Sequence, residues 1–535
     1  MDRLTNAKLA QRPACVKGWH ANFYKYLWQT ANSAKMSRFV SKKACLQVYL
    51  KKNRSRLPSK PHCVYFCPMP ATEVAPSSAP AGVKPINKAQ PHIVILGGGF
   101  AGLNLAKSLK NVNCRITLID RQNHHLFQPL LYQVATATLS SVEIAKPLRS
   151  ILSDHENVCV ELGKVETVDL KSRTVVLSDR SVNYDYLVMA LGGVTSYFGH
   201  PEWAEHAPGL KSINDALRIR REILYAFEQA ELTSDPATLE KLMTIVIVGG
   251  GPTGVELAGA CKELGRFVMR HDFRKIDPTK VRVILIEAAD RILLHLPRDL
   301  STSAHRQLEA IGVEIRLNTM VKDIQPETVV VSAKETPDKL ETIKAASIVW
   351  SAGVGANPIT RTLGVDIDRA GRIKVDKDLS VPGYPEVFAV GDIAFILNAD
   401  GTPVPGVSPA AIQMGQYVGK VIETEQADPH LQPEQRDPFK YWDKGTMATI
   451  GHSRAVAMVA GVKFSGFLAW VTWLMVHILF LVGFTNKLTV VIRWVWAFFT
   501  RRTGARVITA NDGRGHTTLT TSPSTGVVTP PTQAN

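Results

Sequence analysis

Two stretches of this chain have the residue types and spacing to cradle a pyrophosphate. They are Gly97-Gly98-Gly99-Phe100-Ala101-Gly102 and Gly249-Gly250-Gly251-Pro252-Thr253-Gly254, each a G-x-G-x-x-G. In such a loop the first glycine permits a tight turn and the second lets backbone approach the phosphates. The third lets the next helix pack on the strand, with its N-terminus toward the negative charge. An acid follows each loop at the end of the next strand, Asp120 for the first and Glu287 for the second. A carboxylate there holds a ribose hydroxyl, usually roughly 20 residues on. Asp120 fits that distance. Glu287 lies 33 residues after Gly254, and the excess is assigned to the basic loop Arg270–Lys280. Two such units in one chain read as a flavoprotein, with one site for FAD and one for a nicotinamide. The acid Glu287 favours NADH, because it would repel a 2′-phosphate.

The elements that must position these loops are legible around them. Ile93–Leu96 is a short apolar run that reads as a buried parallel strand, and Leu103, Ala106 and Leu109 follow at helical spacing. The pattern repeats with a strand at Thr244–Val248, a helix from Val255 and a strand at Val281–Ile286. Val158–Leu162, Lys164–Asp169, Thr174–Leu177, Tyr184–Ala190 and Ser347–Ser351 read as further strands, and residues 212–232 as a charged amphipathic helix. A strand from Val387 ends in Gly391-Asp392, where a carboxylate can accept hydrogen bonds from ribityl hydroxyls. Ser408–Gly415 reads as the opening of a helix near that point, its N-terminus able to face the flavin's polar edge. Asn123–Thr136 has no clear period and reads as a loop able to line a bound ring. Its His124 and His125 read as packing residues, since no third ligand stands at metal-ligand spacing, and no metal is expected.

Composition narrows the class. The formal net charge of the 535 residues is +16, but residues 1–70 hold nine lysines, five arginines and one acid, Asp2, and so carry +13 of it. The body is near neutral, which excludes a nucleic-acid protein. The leader reads as disordered, or as preceding a later start at Met36 or Met69, in preference to a targeting peptide. Four of the seven cysteines lie in the leader. Cys114, Cys159 and Cys261 are far apart and form no C-x-x-C, which gives no sign of a disulfide framework or a zinc site and argues against a dithiol redox centre.

The C-terminal region changes character. Ser465–Phe484 is twenty residues without Asp, Glu, Lys or Arg, a length that reaches across a bilayer. Trp470, Trp473 and His477 form one stripe within it, away from the ends where spanning helices carry anchoring tryptophans. In Leu488–Thr500, Leu488, Val491, Ile492, Val495, Phe498 and Phe499 share one face, and Thr489, Arg493, Trp496 and Thr500 the opposite one. The pattern favours a hairpin lying in the membrane interface over a spanning helix, which stays open as the alternative. Residues 510–535 read as disordered.

Together these motifs resemble the type II (non-proton-pumping) NADH:quinone dehydrogenases over roughly residues 91–508. The resemblance rests on Ile95–Gly102, His125–Gln133, Gly249–Gly259, Val349–Val354, Val387–Asp392, Lys444–Gly451 and the hydrophobic tail. It implies an α/β fold with two Rossmann-like dinucleotide-binding domains, glutathione reductase-like, plus a C-terminal membrane-associated helical hairpin. The implied organisation is a leader (1–90), the first part of an FAD domain (91–210) and an NADH domain (211–354). The second part of the FAD domain with the quinone-site helix (355–450), membrane-anchoring helices (451–508) and a tail (509–535) complete it. At FAD it implies Gly97, Gly98, Gly99, Phe100, Ala101, Gly102, Asp120, Arg121, Gln128, Val165, Gly391, Asp392 and Ala411. At NADH it implies Gly249, Gly251, Pro252, Thr253, Gly254, Glu256, Glu287 and Gly353. Glu256 matches the family's acid beside the nicotinamide–flavin stack, and Gln413 the second glutamine of its Ala-Gln-x-x-x-Gln quinone motif. Pro409 stands where many members have the first glutamine, and Leu191 where Ala-Thr-Gly is commoner.

The implied reaction passes hydride from NADH to the flavin, then two electrons to a membrane quinone. Glu256 would position the nicotinamide or move a proton; its bland role is a helix N-terminal acid favoured by the dipole. Gln413 would hydrogen-bond a quinone oxygen or the flavin edge; its bland role is a capping or surface glutamine. The implied partners are the quinone, the bilayer surface through residues 463–502 and a second copy in a homodimer, with no nucleic acid. The implied location is peripheral, on the cytoplasmic face of the cell membrane. A sulfide:quinone reductase would need reactive cysteines at the flavin. A soluble ferredoxin-type reductase would need no apolar hairpin. A non-catalytic flavin sensor would be reduced by NADH without turning over quinone.

Overall fold

The computed structural model describes residues 90–501 and 503–508. The readings made for the leader and for the 509–535 tail lie outside the described residues.

The chain opens with β1 (His92–Leu96), α1 (Phe100–Ser108) and β2 (Arg115–Asp120). β1 and β2 pair in parallel from His92↔Arg115 to Leu96↔Ile119. Every residue of β1 is buried, which is why its sequence is a continuous apolar run rather than an alternating one. β3 (Val158–Leu162) extends the sheet beyond β2, and β4 (Tyr186–Met189) flanks β1 on the other side.

A second α/β unit then interrupts the first. It comprises α2 (Ile213–Leu232), β5 (Thr244–Val248), α3 (Pro252–Glu263), β6 (Arg282–Ile286), β7 (Val313–Arg316) and β8 (Ser347–Trp350), its four strands parallel in the order β7-β6-β5-β8. The chain enters and leaves it through adjacent strands, Gly193–Thr195 and Val354–Ala356, hydrogen-bonded to each other antiparallel. The first sheet is then completed by β9 (Tyr384–Ala389) beside β4 and an antiparallel edge at Ser380–Val381. α4 (Ser408–Ala427) crosses α1 at close range. A Cβ added to Gly415 would stand 2.3 Å from the Ala101 carbonyl oxygen, so only hydrogen fits there.

Strands β10 (Thr446–Thr449), β11 (Ala455–Val459) and β12 (Val462–Ser465) form a three-stranded antiparallel sheet, followed by α5 (Phe467–Phe480) and α6 (Phe484–Thr500). The pairing Thr446↔Met458 joins β10 to β11 antiparallel. Trp473, Leu481 and Val490 of the hairpin join the core of the inserted unit.

One expectation is corrected. Asn123–Thr136 is not a loop. It holds a strand (His124–Leu126), a 3-10 turn (Gln128–Leu130) and a helix (Leu131–Ala135) packed against α2 and α3. Five residues are too few to display a 3.6 period, and burial of Leu130, Leu131, Val134 and Ala135 sets the structure instead. The apolar run Ser465–Phe484 is broken before its end, in keeping with the hairpin favoured from the sequence. α5 has 14 residues, about 21 Å at 1.5 Å per residue, against roughly 30 Å of hydrocarbon. It stops where Leu481 turns extended and Gly483 takes φ +92°. Among the described residues no helix is long and apolar enough to cross a membrane.

The stripe Trp470–Trp473–His477 packs inward rather than outward: Trp473 is buried, and Trp470 lies beside His452 and Phe498. On α6 the apolar face points away from the protein, with Leu488, Val491, Ile492, Val495 and Phe499 exposed. Trp496, placed by periodicity on the polar face, is exposed as well. Arg493 and Trp494 reach the protein instead, bonding Glu143 and Gln133.

Candidate active site

The two glycine loops have the same geometry. Gly97 takes φ +105° and Gly249 φ +109°, backbone that side-chain-bearing residues rarely adopt. A Cβ on Gly102 would stand 1.9 Å from the Gly97 carbonyl oxygen, and one on Gly254 the same distance from that of Gly249. These third glycines therefore seat the helix on the turn. The middle glycines differ in kind: a Cβ on Gly99 or Gly251 would meet nothing within 4 Å. That open side, at the N-terminus of α1 or α3, fits a pyrophosphate.

The acids are placed alike too. Asp120 Oδ2 accepts from the Gly98 amide at 2.6 Å, and Glu287 Oε2 from the Gly250 amide at 2.6 Å. Their second oxygens accept from the amides of Gln122 and Ala289. Each carboxylate thus lies at its loop, held by backbone donors, where a nucleotide ribose would arrive. His125 donates from Nδ1 to the Gly98 carbonyl, and burial lowers its pKa to about 4. It supports the first loop as a neutral packing residue.

Both loops open on one cleft of about 2300 Å³. Of the expected FAD positions, Gly97, Gly98, Gly99, Phe100, Ala101, Asp120, Arg121, Gln128, Val165, Gly391, Asp392 and Ala411 line it. Gly102 lies behind it in the helix–turn contact. Of the expected NADH positions, Gly251, Pro252, Thr253 and Glu256 line the cleft, and Gly249, Gly254, Glu287 and Gly353 do not. Gly353 turns with φ +80° against the Phe198 ring. Gln413 is absent from the lining. Its amide is engaged with the backbone of Trp442, donating to the carbonyl at 3.0 Å and accepting from the N–H at 2.9 Å. It thereby pins the 438–445 segment, whose Phe439, Lys440, Tyr441 and Asp443 do line the cleft. Among the described cysteines none lines it.

Glu256 is the most displaced acid in the cleft. Burial raises its carboxyl to about 8, opposed by the Thr449 amide at 3.3 Å, and the indole N–H of Trp473 faces the same carboxyl without a formed hydrogen bond. Glu256 is therefore protonated at neutral pH and able to give up a proton. Lys211 also lines the cleft. Burial lowers its pKa, and the nearby Asp392 carboxylate opposes that.

The hairpin contributes to the same cleft through Val476, His477 and Phe480. His477 Nδ1 donates to the Trp473 carbonyl at 2.7 Å, its ring stacks on Trp473 at 3.8 Å, and burial lowers its pKa to about 4. Behind the cleft Trp494 donates to Gln133, Gln133 donates to the Tyr132 hydroxyl, and Tyr132 pairs with Thr449. Arg493 pairs with buried Glu143 at 3.0 Å. Sequence reasoning assigned no site role to Tyr132, Thr449, Lys211 or Trp473. Tyr132 and Thr449 fall within the stretches His125–Gln133 and Lys444–Gly451 that carry the family resemblance, and Trp473 within the stripe with His477, but none of these signals gives the residue a role.

The family model for pyridine nucleotide-disulphide oxidoreductases matches residues 91–415, and that for the NDH2 C-terminal domain residues 443–503. The chain is similar to the type II NADH:quinone oxidoreductase Ndh of Mycobacterium tuberculosis, at 46% identity over 436 residues, 80% of this chain and 92% of the relative. NdhA of the same organism, also a type II NADH:quinone oxidoreductase, is 43% identical over 78% of this chain and 89% of its own. Among solved structures, NDH2 from Plasmodium falciparum in complex with NADH matches with a TM-score of 0.72 at 19% identity, over 79% of this chain and 100% of that one. The sulfide:quinone oxidoreductase of Aquifex aeolicus matches with a TM-score of 0.57 at 19% identity, over 73% and 90%. At these identities the solved structures speak to the fold.

Proposed function

Because the chain belongs to the type II NADH:quinone oxidoreductases, we propose that its first glycine loop holds FAD, its second holds NADH, and quinone enters beside the hairpin. The enzyme oxidises NADH with FAD and reduces a membrane quinone without pumping protons. It is attached to the membrane through a peripheral C-terminal segment.

Bound FAD supplies the two-electron relay between nicotinamide and quinone. The chain's own residues do the rest. Gly99 and Gly251 leave room for the two pyrophosphates, and Asp120 and Glu287 take the riboses. Glu287 disfavours a 2′-phosphate and so selects NADH. Asp392, beside Gly391 at φ +72°, takes the ribityl hydroxyls. The net reaction, NADH + H⁺ + quinone → NAD⁺ + quinol, draws one proton from the protein side. Glu256, uncharged and in the cleft, is the group placed to give it. Gln413 acts through Trp442 by holding the cleft-lining segment in place. The exposed apolar face of α6 lies on the cytoplasmic leaflet, where NADH is supplied, and the enzyme works as a homodimer.

One observation carries this reading. The open sides of both loops, Glu256 and the hairpin's His477 and Phe480 all line one cleft. The test is an anaerobic titration of the detergent-solubilised protein, followed in the flavin's visible absorbance. NADH should bleach it, NADPH should not, and a short-chain quinone should restore it. Glu256→Gln should leave the bleaching intact and slow the recovery. Equal bleaching by NADPH would remove the Glu287 assignment, and an unchanged recovery would remove Glu256 as the proton source.

A further inference from the structure

The hairpin puts a buried hydrogen-bond donor into the site without an acceptor. Trp473 is among the largest fully buried side chains, and its Nε1–H has no hydrogen-bond partner. Buried donors are nearly always satisfied, so such an orphan asks for an explanation. Other indoles meet the rule: Trp494, beside Trp473, donates to Gln133, and Trp350 to the Ser196 carbonyl. The Trp473 ring is also clamped. It stacks on His477, meets Tyr132 edge-on at 6.4 Å and lies 5.6 Å from the Trp494 ring. What its N–H faces is Glu256.

Around that carboxyl the choices are few. β10 presents the Thr449 amide, the helix Leu131–Ala135 presents the Tyr132 hydroxyl, and α5 presents the indole. Glu263 stands two turns further along α3, with Arg266, Arg454 and Arg501 around it. The Tyr132 hydroxyl is already bonded to Gln133 and Thr449. No lysine or arginine among the described residues pairs with Glu256. A carboxylate formed here has one donor at 3.3 Å and needs a second.

We propose that Trp473 is a positioning residue for Glu256, whose indole N–H is unpartnered while the carboxyl is protonated and closes on the carboxylate once the proton has gone to the quinone. The step breaks the Glu256 O–H bond and forms a quinol O–H bond, the two electrons and the other hydrogen coming from NADH through the flavin. The hairpin is then part of the proton-donating apparatus as well as an attachment. The inference rests on Glu256 being the proton donor.

The experiment follows the quinone-reducing half-reaction against pH in the flavin-loaded enzyme, together with the infrared carbonyl band of protonated carboxyl. Glu256→Gln should abolish the alkaline limb and the titrating band. Trp473→Phe keeps an aromatic ring against His477 and removes the N–H. It should move limb and band upward by about one pH unit, a tenfold change in ionisation constant, and leave flavin reduction by NADH as it was. Trp470→Phe, one turn earlier, should move neither. A limb that survives in Glu256→Gln overturns the donor reading and this inference with it. A limb lost in Glu256→Gln but unmoved by Trp473→Phe, or moved equally by Trp470→Phe, overturns the Trp473 role alone. Should Trp473→Phe fail to load flavin, the ¹⁵N indole resonances of the wild-type enzyme decide. One of them should titrate with the carboxyl band and lie flat in Glu256→Gln; the absence of any such resonance overturns the proposal.

Discussion

The hydroxyls of Tyr132 and Thr449 lie 3.0 Å apart although 317 residues separate them in the chain. The bond ties the helix beside the first cradle to the strand whose Thr449 amide touches Glu256. Tyr132→Phe keeps the ring and removes the link, leaving buried Thr449 and Gln133 each short of a partner. The cost is about 1–3 kcal/mol. The variant should melt several degrees lower, with quinone reduction impaired more than flavin reduction by NADH. Differential scanning calorimetry and the two half-reactions check it.

The two third glycines separate the two ligands. In Gly102→Ala the new methyl would meet the Gly97 carbonyl oxygen at 1.9 Å, and in Gly254→Ala that of Gly249 at the same distance. Gly102→Ala should be purified with little or no flavin. Gly254→Ala should keep its flavin and lose most reduction by NADH, with photoreduction of the same flavin undisturbed. Flavin content by absorbance and stopped-flow bleaching distinguish them.

Glu287 should decide between the nicotinamides. Glu287→Gln keeps an acceptor for the Gly250 amide and removes the charge that opposes a 2′-phosphate. A hydrogen bond to a charged group contributes about 1.5–3 kcal/mol, so KM for NADH should rise by roughly tenfold or more. KM for NADPH should fall. Steady-state kinetics with both nucleotides give the ratio.

Burial holds the Glu256 carboxyl at about 8 against an ordinary 4.5. Between those values the unfolded chain has released this proton and the folded chain has kept it. Stability therefore falls as pH rises through that window and levels off above it, by at most about 4–5 kcal/mol. Glu256→Gln removes this dependence. Its melting temperature should exceed the wild type's at pH 8 and approach it near pH 4.5, as thermal unfolding at the two pH values measures.

The outward face of α6 should carry the attachment. Leu488, Ile492 and Phe499 are 51%, 59% and 79% exposed, so serine there costs the fold little. Burying each in lipid contributes about 1.5–3 kcal/mol. The triple serine variant should bind vesicles at least a hundredfold more weakly while still bleaching with NADH. Sedimentation with liposomes reads it directly.

The parts of the site that the sequence discloses are those fixed by local chemistry. Only glycine tolerates φ near +105° at Gly97 and Gly249, so the loops announce themselves. The start of α2 is local too: Ser212 accepts from the Asp215 amide and Asp215 from the Ser212 amide. What stays hidden depends on a distant partner. Gln413 belongs to a motif, yet nothing in that motif says its amide is bonded to Trp442. The twenty apolar residues from Ser465 look like one helix because hydropathy does not register the turn at Gly483. Trp473 pointed to a membrane because a buried indole and a lipid-facing one look alike in sequence.

The ribbon formed by Gly193–Thr195 and Val354–Ala356 has a consequence for how this chain can be cut and rejoined. The ends of the inserted unit are hydrogen-bonded neighbours, so a short linker could close each piece on itself. The ribbon is a seam at which one dinucleotide module could be exchanged for another of the same fold, and the register Val194↔Gly355 tells the engineer where the stitches belong.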